Sequence, residues 1–340
     1  MLLIRCVRED DLGRLVDLAS QAAYGLTTLP PNPNLLGKSI ARARHALTAP
    51  DDAPSGAKWL FVLEDTSTGL VQGTCGIHDK TGGYQPFWTY RLTTVQRRSS
   101  RFNLTRDLQT LTLEQVHDGP SEIGSLFLAP DFRQRGAGRC LSLARFLHIA
   151  NHRQRFEQTI IAEMRGVVDD QGSAPFWEAL GRHFFQMDFP EADRLSFADK
   201  SFIADLIPLH PIYVCLLPPA AQEVIGQVHP ATKPALSLLE QQGFTPTGQV
   251  DVFDGGPVVA CATEDIAAIR TSQQLPCAST NEDDSDETPP SHLVATCAVD
   301  TRMIACHPRI DSDGIHLSPS AAAALQCQRD SPLRCCPLRG

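Results

Sequence analysis

The chain is predicted to adopt an α/β fold built around a mixed sheet, and three stretches predict it. The first, residues 121–150, runs from a short apolar strand at 126–128 through a glycine-containing loop into an apolar helix. The second, residues 60–75, is typical of two strands joined by a tight polar turn. The third is a buried-strand pattern at 160–164 followed by a helical pattern at 175–180. Strands and helices that alternate in this way are typical of α/β proteins.

The elements before residue 80 follow from local patterns. Residues 4–7 predict a first strand, and Asp10 is a suitable N-cap for the helix that follows. That helix presents apolar side chains at helical spacing, namely Leu12, Leu15, Val16 and Ala19. Residues 60–63 and 70–75 predict the two strands of a hairpin, since polar residues and Gly69 separate them.

The loop at 133–138, Arg-Gln-Arg-Gly-Ala-Gly, predicts a phosphate-binding cradle. Gly136 and Gly138 lack a Cβ, so main-chain amides can approach an anion closely and a positive φ is accessible. The N-terminus of the next helix carries a positive partial charge at the same place. Arg133 and Arg135 add formal charge. The alternative is an ordinary strand-to-helix turn without a ligand.

Two commoner glycine loops do not fit this sequence. A P-loop ends in Gly-Lys-Ser/Thr, whereas Gly138 is followed here by Arg139 and Cys140. A dinucleotide-binding fingerprint requires a third glycine where this chain has Leu141. The remaining pattern, Arg-x-x-Gly-x-Gly between a strand and a helix, resembles the pyrophosphate loop of the GCN5-related N-acyltransferase fold. That resemblance implies a mixed-sheet acyl-CoA N-acyltransferase fold.

Composition limits the class of protein and of partner. The chain has 340 residues, of which 42% are hydrophobic and 20% charged, as in ordinary globular proteins. The formal net charge of −9 argues against a nucleic-acid surface. No apolar run approaches the length of a membrane span, and the N-terminus lacks a secretory apolar region, so we expect a cytoplasmic protein without membrane partners. The 11 cysteines show no disulfide-framework spacing, and we expect reduced thiols.

Four segments are predicted along the chain. Residues 1–190 are expected to form the acyltransferase-like domain, and 191–270 a second acyltransferase-like half that completes the active site. The second half is suggested because the helix and Gly-Phe pair at 233–244 parallel those at 174–185. Residues 271–290 are acidic and poor in large apolar side chains, which predicts a solvated linker. Residues 291–340 are expected to form a small C-terminal appendage.

A more specific resemblance covers about residues 1–260, where the sequence is similar to the arginine N-succinyltransferase family. Two segments near the end of this range, Gly-Gln-Val-His-Pro at 226–230 and Phe-Asp-Gly-Gly-Pro at 253–257, are far more specific than the glycine loop. The other matching segments are 26–30, 61–65, 126–128, 173–177 and 210–213.

The resemblance implies a reaction and several roles. Family members transfer the succinyl group of succinyl-CoA to the α-amine of L-arginine, in arginine catabolism, without a covalent enzyme intermediate. The histidine of the Gly-Gln-Val-His-Pro segment, His229 here, is implied as the proton donor. Leu126, which opens the Leu-Phe-Leu strand, is implied in acyl-CoA binding, and Phe127 and Leu128 continue that strand, whose amides would stabilise the oxyanion. The residues alone favour a structural role for His229, and the resemblance reverses that preference.

The acceptor pocket is less clearly indicated. A free arginine carries a carboxylate and a guanidinium, so its site needs a cationic side chain at one end and a carboxylate at the other. Glu163, Asp188 and Asp254 are candidates for the guanidinium, with surface or capping roles as the alternative. Thr27, in the loop after the first helix, is a candidate to close over the acceptor.

No metal site and no permanently bound cofactor are predicted. Cys75 and His78 have metal-like spacing, but strand alternation places them on opposite faces. The cysteines of the tail contain no Cys-x-x-Cys motif. Two other functions stay open: an acyltransferase for ornithine or another basic amino acid, and a non-catalytic subunit that binds CoA. A homo-oligomer and a hetero-oligomer are both compatible with the sequence.

Overall fold

The computed structural model describes residues 1–21, 29–49, 53–133, 136–198, 200–282 and 289–338. Its strands are β1 (Leu2–Cys6), β2 (Lys58–Asp65), β3 (Leu70–His78), β4 (Phe87–Ser99), β5 (Leu104–Val116), β6 (Ser121–Leu128), β7 (Thr159–Glu163), β8 (Ile212–Tyr213), β9 (Thr245–Asp251), β10 (Pro257–Ala262), β11 (Gln273–Ser279), β12 (His292–Thr296), β13 (Arg302–Cys306), β14 (Arg309–Asp311), β15 (Gly314–His316) and β16 (Pro332–Pro337). Its helices are α1 (Leu12–Gln21), α2 (Pro33–Thr48), α3 (Ala137–Asn151), α4 (Pro175–Ala179), α5 (Gly181–Phe185), α6 (Phe189–Ala198), α7 (Ser201–Leu206), α8 (Pro219–Val224), α9 (Lys233–Glu240), α10 (Ala267–Thr271) and α11 (Pro319–Leu325).

The strands are joined in one mixed sheet, which confirms the predicted fold class. Their order is β14-β15-β11-β16-β12-β13-β1-β2-β3-β6-β7-β10-β9-β4-β5-β8. In the centre of this order, β6 and β7 are parallel neighbours. Each of them has an antiparallel partner on its other side, β3 for β6 and β10 for β7. The central strands therefore come from both the N-terminal part and the second predicted half.

Three buried clusters cover the sheet. Helix α3 packs on one face, where its Leu141, Phe146 and Leu147 are fully buried. Helices α1 and α2 cover the other face together with apolar residues of β2, β3 and β6. The short helices α4 to α8 surround Trp177, which stacks on Phe253 at a ring-centroid distance of 5.6 Å. The sheet centre is thus covered on both faces, as a parallel strand pair requires.

The predicted hairpin is confirmed, and one capping prediction is wrong. Strands β2 and β3 pair antiparallel, with Lys58 opposite His78. The helix predicted after Asp10 begins at Leu12, preceded by a 3₁₀ turn over Glu9–Asp11. Asp11, and not Asp10, accepts the main-chain N–H of Arg8 at 2.7 Å. Asp11 is also buried and accepts a hydrogen bond from the Arg5 guanidinium. This contact favours Asp11 over the exposed Asp10 as the capping residue.

Two large elements lie where no pattern was recognised. Helix α2 begins at Pro33 behind the N-cap Asn32. Strands β4 and β5 form a hairpin of 13 residues in each strand, and its tip exposes Phe102. The hairpin's outer half is mostly polar and exposed, so it shows little of the alternation that reveals a half-buried strand.

The C-terminal segment differs from the predicted linker and appendage. Residues 273–279, expected to be solvated, form β11, because Leu275 and Cys277 pack inward. Strand β13 pairs directly with β1, with Ile304 opposite Leu3. Of the acidic residues of the predicted linker, Glu282 is described and 283–287 lie outside the described residues. The domain boundaries themselves stay a prediction.

Within the described residues, no helix is long and apolar enough to cross a membrane.

Candidate active site

A gap between the two parallel strands is the central feature of the site. In the register of β6 and β7, Ser121 pairs with Ile160 and Glu122 with Ile161. Beyond Ile161, β7 continues to Glu163 beside β10, while β6 continues to Leu128 beside β3. Because parallel strands end at the same edge of a sheet, the loops after both strands meet around this gap.

An irregularity in β6 shapes its side of the gap. Ser125 has a φ of +52°, and the β3–β6 register shifts beside it, between Thr74 and Gly76. The Thr74 hydroxyl donates to the Ser125 carbonyl at 2.7 Å and holds the bulge in place. After the bulge, the main-chain N–H of Ala129 donates to the carbonyl of Gln72 in β3. Antiparallel alternation then directs the main-chain polar groups of Leu128 away from β3, toward the gap.

Leu126, Phe127 and Leu128, for which acyl-CoA binding stays a prediction, form this part of β6, and their side chains point to different faces. Phe127 packs with α1 and α2, whereas Leu128 packs on the α3 side. Leu126 is half-buried. The main chain is therefore the part of the Leu-Phe-Leu segment that faces the gap.

The predicted cradle follows at the end of β6. Gly136 has a φ of +73° and is the N-cap of α3, so the left-handed backbone that glycine favours occurs here. Gly138 lies in the first turn, and a Cβ there would meet only Leu128, at an ordinary 3.9 Å. Helix α3 has no acidic residue in its first turn and runs for 15 residues, so its N-terminus can attract an anion. Arg135 lies outside the described residues.

The arginines near the cradle have different roles. Arg133 is exposed; its Nε donates to the Leu128 carbonyl at 3.1 Å, and its guanidinium lies 5.9 Å from the Phe127 ring centroid. Arg139 points away, donating to the carbonyl of Leu338 at 2.9 Å. Arg145 is buried in the middle of α3. Arg133 is therefore the described arginine best placed beside the cradle.

A polar cavity of about 90 Å³ lies at the other end of the gap, after β7. Two predicted acceptor residues, Glu163 and Asp254, both line it. Two apolar residues complete the wall, Met164 and Phe253. The remaining lining residues, none of which was recognised in the sequence, are Arg165, Asp193, Ser196, Lys200 and Asp251. The structure thus brings four carboxylates and two cationic side chains together.

The cavity holds its carboxylates in an environment that disfavours their ionisation. Burial, reinforced by Asp251, raises the pKa of Asp254 to about 7. Burial raises the pKa of Asp193 to about 6 and that of Glu163 well above its usual range. Burial lowers the pKa of Lys200, but nearby carboxylates, Glu163 first, outweigh this and raise it overall. An additional cation would relieve this excess of negative charge.

Close backbone packing positions Asp254. The Phe-Asp-Gly-Gly-Pro segment turns between β9 and β10, with Gly255 at a φ of +71°. A Cβ on Gly256 would lie 2.0 Å from the Met164 carbonyl, so only glycine fits against the strand end. The Asp254 carboxylate accepts the Gly256 N–H at 2.8 Å. This motif therefore fixes a carboxylate against the segment that follows β7.

A second cluster of ionisable side chains lies where β6 pairs with β3. Lys58 of β2 is opposite His78 of β3, which is opposite Glu122 of β6. His78 Nδ1 lies 3.9 Å from Glu122 Oε2. Burial, followed by the charge of Lys58, lowers the pKa of His78 to about 3, so its ring is neutral at pH 7. Burial also raises the pKa of Glu122.

His229 lies beside the cavity segment. Its main-chain N–H donates to the Arg165 carbonyl at 2.7 Å. In its ring, Nδ1 accepts the Ala231 N–H at 3.1 Å and Nε2 lies 3.1 Å from the Val168 carbonyl oxygen. Since a carbonyl cannot donate, Nε2 carries the proton and the ring is neutral in this arrangement. Its catalytic role stays a prediction, and it requires substrate to replace Val168 as the partner of Nε2.

Two other predicted acceptor residues are not placed in the cavity. Asp188 is exposed and accepts the Glu191 N–H at 3.1 Å, which is the capping role considered as its alternative. Thr27 lies outside the described residues. Lys200, by contrast, comes from a polar stretch between α6 and α7 that shows no motif, so no sequence signal identified it. Asp251 lies three residues before Asp254, and this short spacing was the sequence signal that could have identified Asp251 as a second carboxylate of the site.

Across the described ranges, no group of three or more His, Cys, Asp or Glu side chains is arranged to hold a metal ion.

Comparison with known proteins agrees with this geometry. The family described as arginine N-succinyltransferase beta subunit matches residues 2–268. Arginine N-succinyltransferases of Shigella dysenteriae and Escherichia coli are each 44% identical over 275 residues, which is 80% of this chain and 79% of each relative. A solved structure of arginine/ornithine succinyltransferase subunit AI from Pseudomonas aeruginosa is 29% identical, with a TM-score of 0.91 over 100% of this chain and 99% of that chain. The chain belongs to the arginine N-succinyltransferase family of acyltransferases.

Proposed function

We propose that this protein transfers the succinyl group of succinyl-CoA to the α-amine of L-arginine, giving N2-succinylarginine and free CoA. The observation that carries the proposal is the acidic cavity containing Glu163 and Asp254 at the end of β7, beside the β6–β7 gap. A family member with this cavity can hold a basic amino acid next to an acyl-CoA bound along β6.

The acyl donor is proposed to lie along β6. Its pyrophosphate would bind the N-terminus of α3 at Gly136 and Gly138, with Arg133 beside it. The pantetheine arm would follow the main chain of Leu126 to Leu128 into the gap. Main-chain amides at that point would stabilise the oxyanion that forms on the thioester carbonyl.

The acceptor is proposed to enter from the opposite end, with its guanidinium among the carboxylates of the cavity. Glu163 and Asp254 are the residues proposed to bind it. Their raised pKa values reflect burial without a sufficient cationic partner, and a guanidinium supplies that partner. Buried and charge-assisted contacts of this kind also orient the α-amine.

The chemical step requires deprotonation of the acceptor's ammonium group, and the free-energy cost of this is modest. Deprotonating the α-ammonium group of a model peptide at pH 7 costs about 1.4 kcal/mol, since its pKa is about 8. The amine nitrogen then attacks the thioester carbon, the C–S bond breaks as the tetrahedral intermediate collapses, and the departing thiolate takes a proton. The amine nitrogen loses one proton as it becomes the amide. We propose that His229, in its imidazolium form, supplies the proton of the thiolate from Nε2 once its ring bonds to Val168 and Ala231 are exchanged, and that the proton leaving the amine nitrogen restores this form.

A second acceptor fits the same cavity. The solved Pseudomonas aeruginosa relative is an arginine/ornithine succinyltransferase subunit, and ornithine offers a side-chain ammonium in place of the guanidinium. The cavity's carboxylates would accept either cation, so the preference between the two is part of the experiment.

The test measures products formed by purified protein with succinyl-CoA and a panel of amino acids. Since Cys215 is exposed, thiol reagents would also react with the protein, so product should be identified by mass spectrometry. Succinylated arginine or ornithine is expected. Turnover of neither, with CoA still bound, would identify a non-catalytic CoA-binding subunit instead.

Matched variants connect activity to the cavity. Glu163→Gln and Asp254→Asn should lose turnover of basic amino acids, whereas Asp188→Asn, outside the cavity, should retain it. Equal loss in all three variants would contradict the placement of the acceptor.

A further inference from the structure

We propose that Arg165 binds the α-carboxylate of the amino-acid acceptor and thereby selects free amino acids over decarboxylated amines. This inference rests on the proposed function, which assigns the cavity to a basic amino acid but assigns no residue to its carboxylate. Arg165 lines that cavity, and its side chain is only 7% exposed.

Arg165 carries two hydrogen-bond donors that the protein does not use. Its Nε and Nη2 are buried and have no hydrogen-bond acceptor within the described residues. These two nitrogens form one edge of the guanidinium, the edge that binds a carboxylate through two parallel hydrogen bonds. Buried donors in folded proteins are nearly always satisfied, so two on one edge indicate a missing partner.

The surrounding contacts hold this edge in place without occupying it. The Asp254 carboxylate lies 3.3 Å from Nε but is not aligned as an acceptor, and Asp193 lies 3.8 Å from Nη1. The guanidinium carbon lies 4.8 Å from the Phe189 ring centroid. Arg165 is therefore fixed by charge and by an aromatic face, while its Nε–Nη2 edge stays available to a ligand.

The position of Arg165 favours the α-carboxylate among the carboxylates of the reaction. Its carbonyl accepts the His229 N–H, so Arg165 lies next to the residue proposed to act at the reacting centre. In an amino acid, the carboxylate is one carbon from the reacting amine. The succinyl carboxylate, by comparison, would enter a cavity with four carboxylates and bring no cation to balance them.

The charged side chains of the cavity then complement both charged ends of a basic amino acid. Carboxylates such as Glu163 and Asp251 face the guanidinium, and Arg165 faces the carboxylate. Agmatine, which is arginine without its carboxylate, would gain the first set of contacts and lose the second.

The experiment compares L-arginine with agmatine on the wild-type protein and on Arg165→Gln and Arg165→Lys. The wild type should prefer arginine in kcat/KM by roughly 10- to 100-fold, the worth of charged hydrogen bonds to a buried partner. Arg165→Gln should lose most of this preference, because its kcat/KM for arginine falls much further than its kcat/KM for agmatine. Arg165→Lys should recover part of it, since the charge remains and the two-donor edge does not.

A purely structural role would lower turnover of both substrates together, and that result would overturn the inference. A reduced preference for succinyl-CoA over acetyl-CoA in Arg165→Gln, with the arginine preference intact, would assign the residue to the acyl group and would also overturn it. Arg182→Gln, which removes an exposed arginine paired with Glu178, is the matched control and should change neither ratio.

Two measurements separate this inference from the proposed function. If the wild type succinylates neither substrate, the proposed function fails, but calorimetric binding of arginine and agmatine still tests Arg165. Equal affinity of the wild type for both ligands overturns the inference even if the Arg165 variants do not fold.

Discussion

The main-chain N–H of His229 donates a 2.7 Å hydrogen bond to the carbonyl oxygen of Arg165. This bond ties the Gly-Gln-Val-His-Pro segment to the chain that leaves β7, and with it the proposed proton donor to the acidic cavity. A second bond, from Gly226 N–H to the Gly255 carbonyl at 2.8 Å, ties the same segment to the Phe-Asp-Gly-Gly-Pro turn. The two most specific sequence motifs are thus neighbours in space.

Replacing His229 tests the proton-donor role. His229→Ala should lower kcat on the order of 10²–10⁴-fold, the usual contribution of a general acid or base, and leave succinyl-CoA affinity nearly unchanged. The pH–rate profile should lose one limb. His229→Gln, which can still donate toward Val168 but cannot titrate, should be as slow as His229→Ala while melting close to wild type. A preserved kcat with a raised KM for arginine would instead identify His229 as a binding or structural residue.

Gly138 tests the cradle. Gly138→Asp should weaken succinyl-CoA binding at least about tenfold, because a carboxylate would face the pyrophosphate. A tenfold loss corresponds to about 1.4 kcal/mol of binding free energy. The same carboxylate complements the dipole of α3, so thermal stability should not fall. Gly138→Ala separates the effect of the charge from that of the Cβ, since the added Cβ fits beside Leu128 and brings no carboxylate. Unchanged affinity of the Asp variant by calorimetry would refute the phosphate placement.

Proton release on binding tests the acidic cavity. A guanidinium beside Asp254 and Glu163 should lower their raised pKa values, so arginine binding should release protons near pH 7. Asp254, whose pKa is raised to about 7 by burial, should contribute to this release. Calorimetry in two buffers of different ionisation enthalpy measures the number of protons released. Proton uptake, or no exchange, would place the guanidinium elsewhere.

The same carboxyl group gives a pH dependence of stability in the free protein. The folded-state pKa of Asp254 lies above its unfolded value, so the folded state binds the extra proton. The resulting contribution to stability is present at low pH and is lost as pH rises from about 4 toward 7. Asp254→Asn should therefore flatten this part of the stability–pH curve, measured by denaturant unfolding, and bind arginine more weakly. An unchanged curve would contradict the assignment.

Changes in the segment after Thr271 test whether it contributes to stability and not to catalysis. A chain ending at Thr271 would lack buried side chains that include Leu293 and Met303, each worth roughly 1.5–3 kcal/mol, and would expose the residues packed against them, so it should show no cooperative melting transition. Met303→Ala should cost about 2–5 kcal/mol and leave kcat per folded molecule unchanged, since no tail residue lines the cavity among the described residues. A fall in kcat of the folded variant would show that the tail contributes to the site.

The parts of the site that sequence predicts are those formed locally. The strand, the glycine turn and the start of α3 are consecutive in the chain, so their pattern is visible without tertiary information. Glu163 and Asp254 could be predicted as binding residues from their carboxylates. Their proximity could not, because it depends on the pairing of Glu163 with Val258, four residues after Asp254. Lys200 and Arg165 enter the cavity from segments without a motif. The orientation of Arg139 also could not be predicted, since it is set by the distant Leu338 carbonyl.

The pairing of β1 with β13 has a consequence for the order in which the chain folds. Leu3 pairs with Ile304, which lies far away in the sequence. One edge of β1 stays unpaired until β13 has formed, because contacts between residues so far apart are slow to form. The succinyltransferase-like core can begin to assemble earlier, around β2, β3 and β6, whose pairings are more local. Docking of β13 is therefore the step at which the second edge of β1 becomes protected, and the amide of Ile4, which faces β13, should be among the last to gain slow hydrogen exchange during refolding.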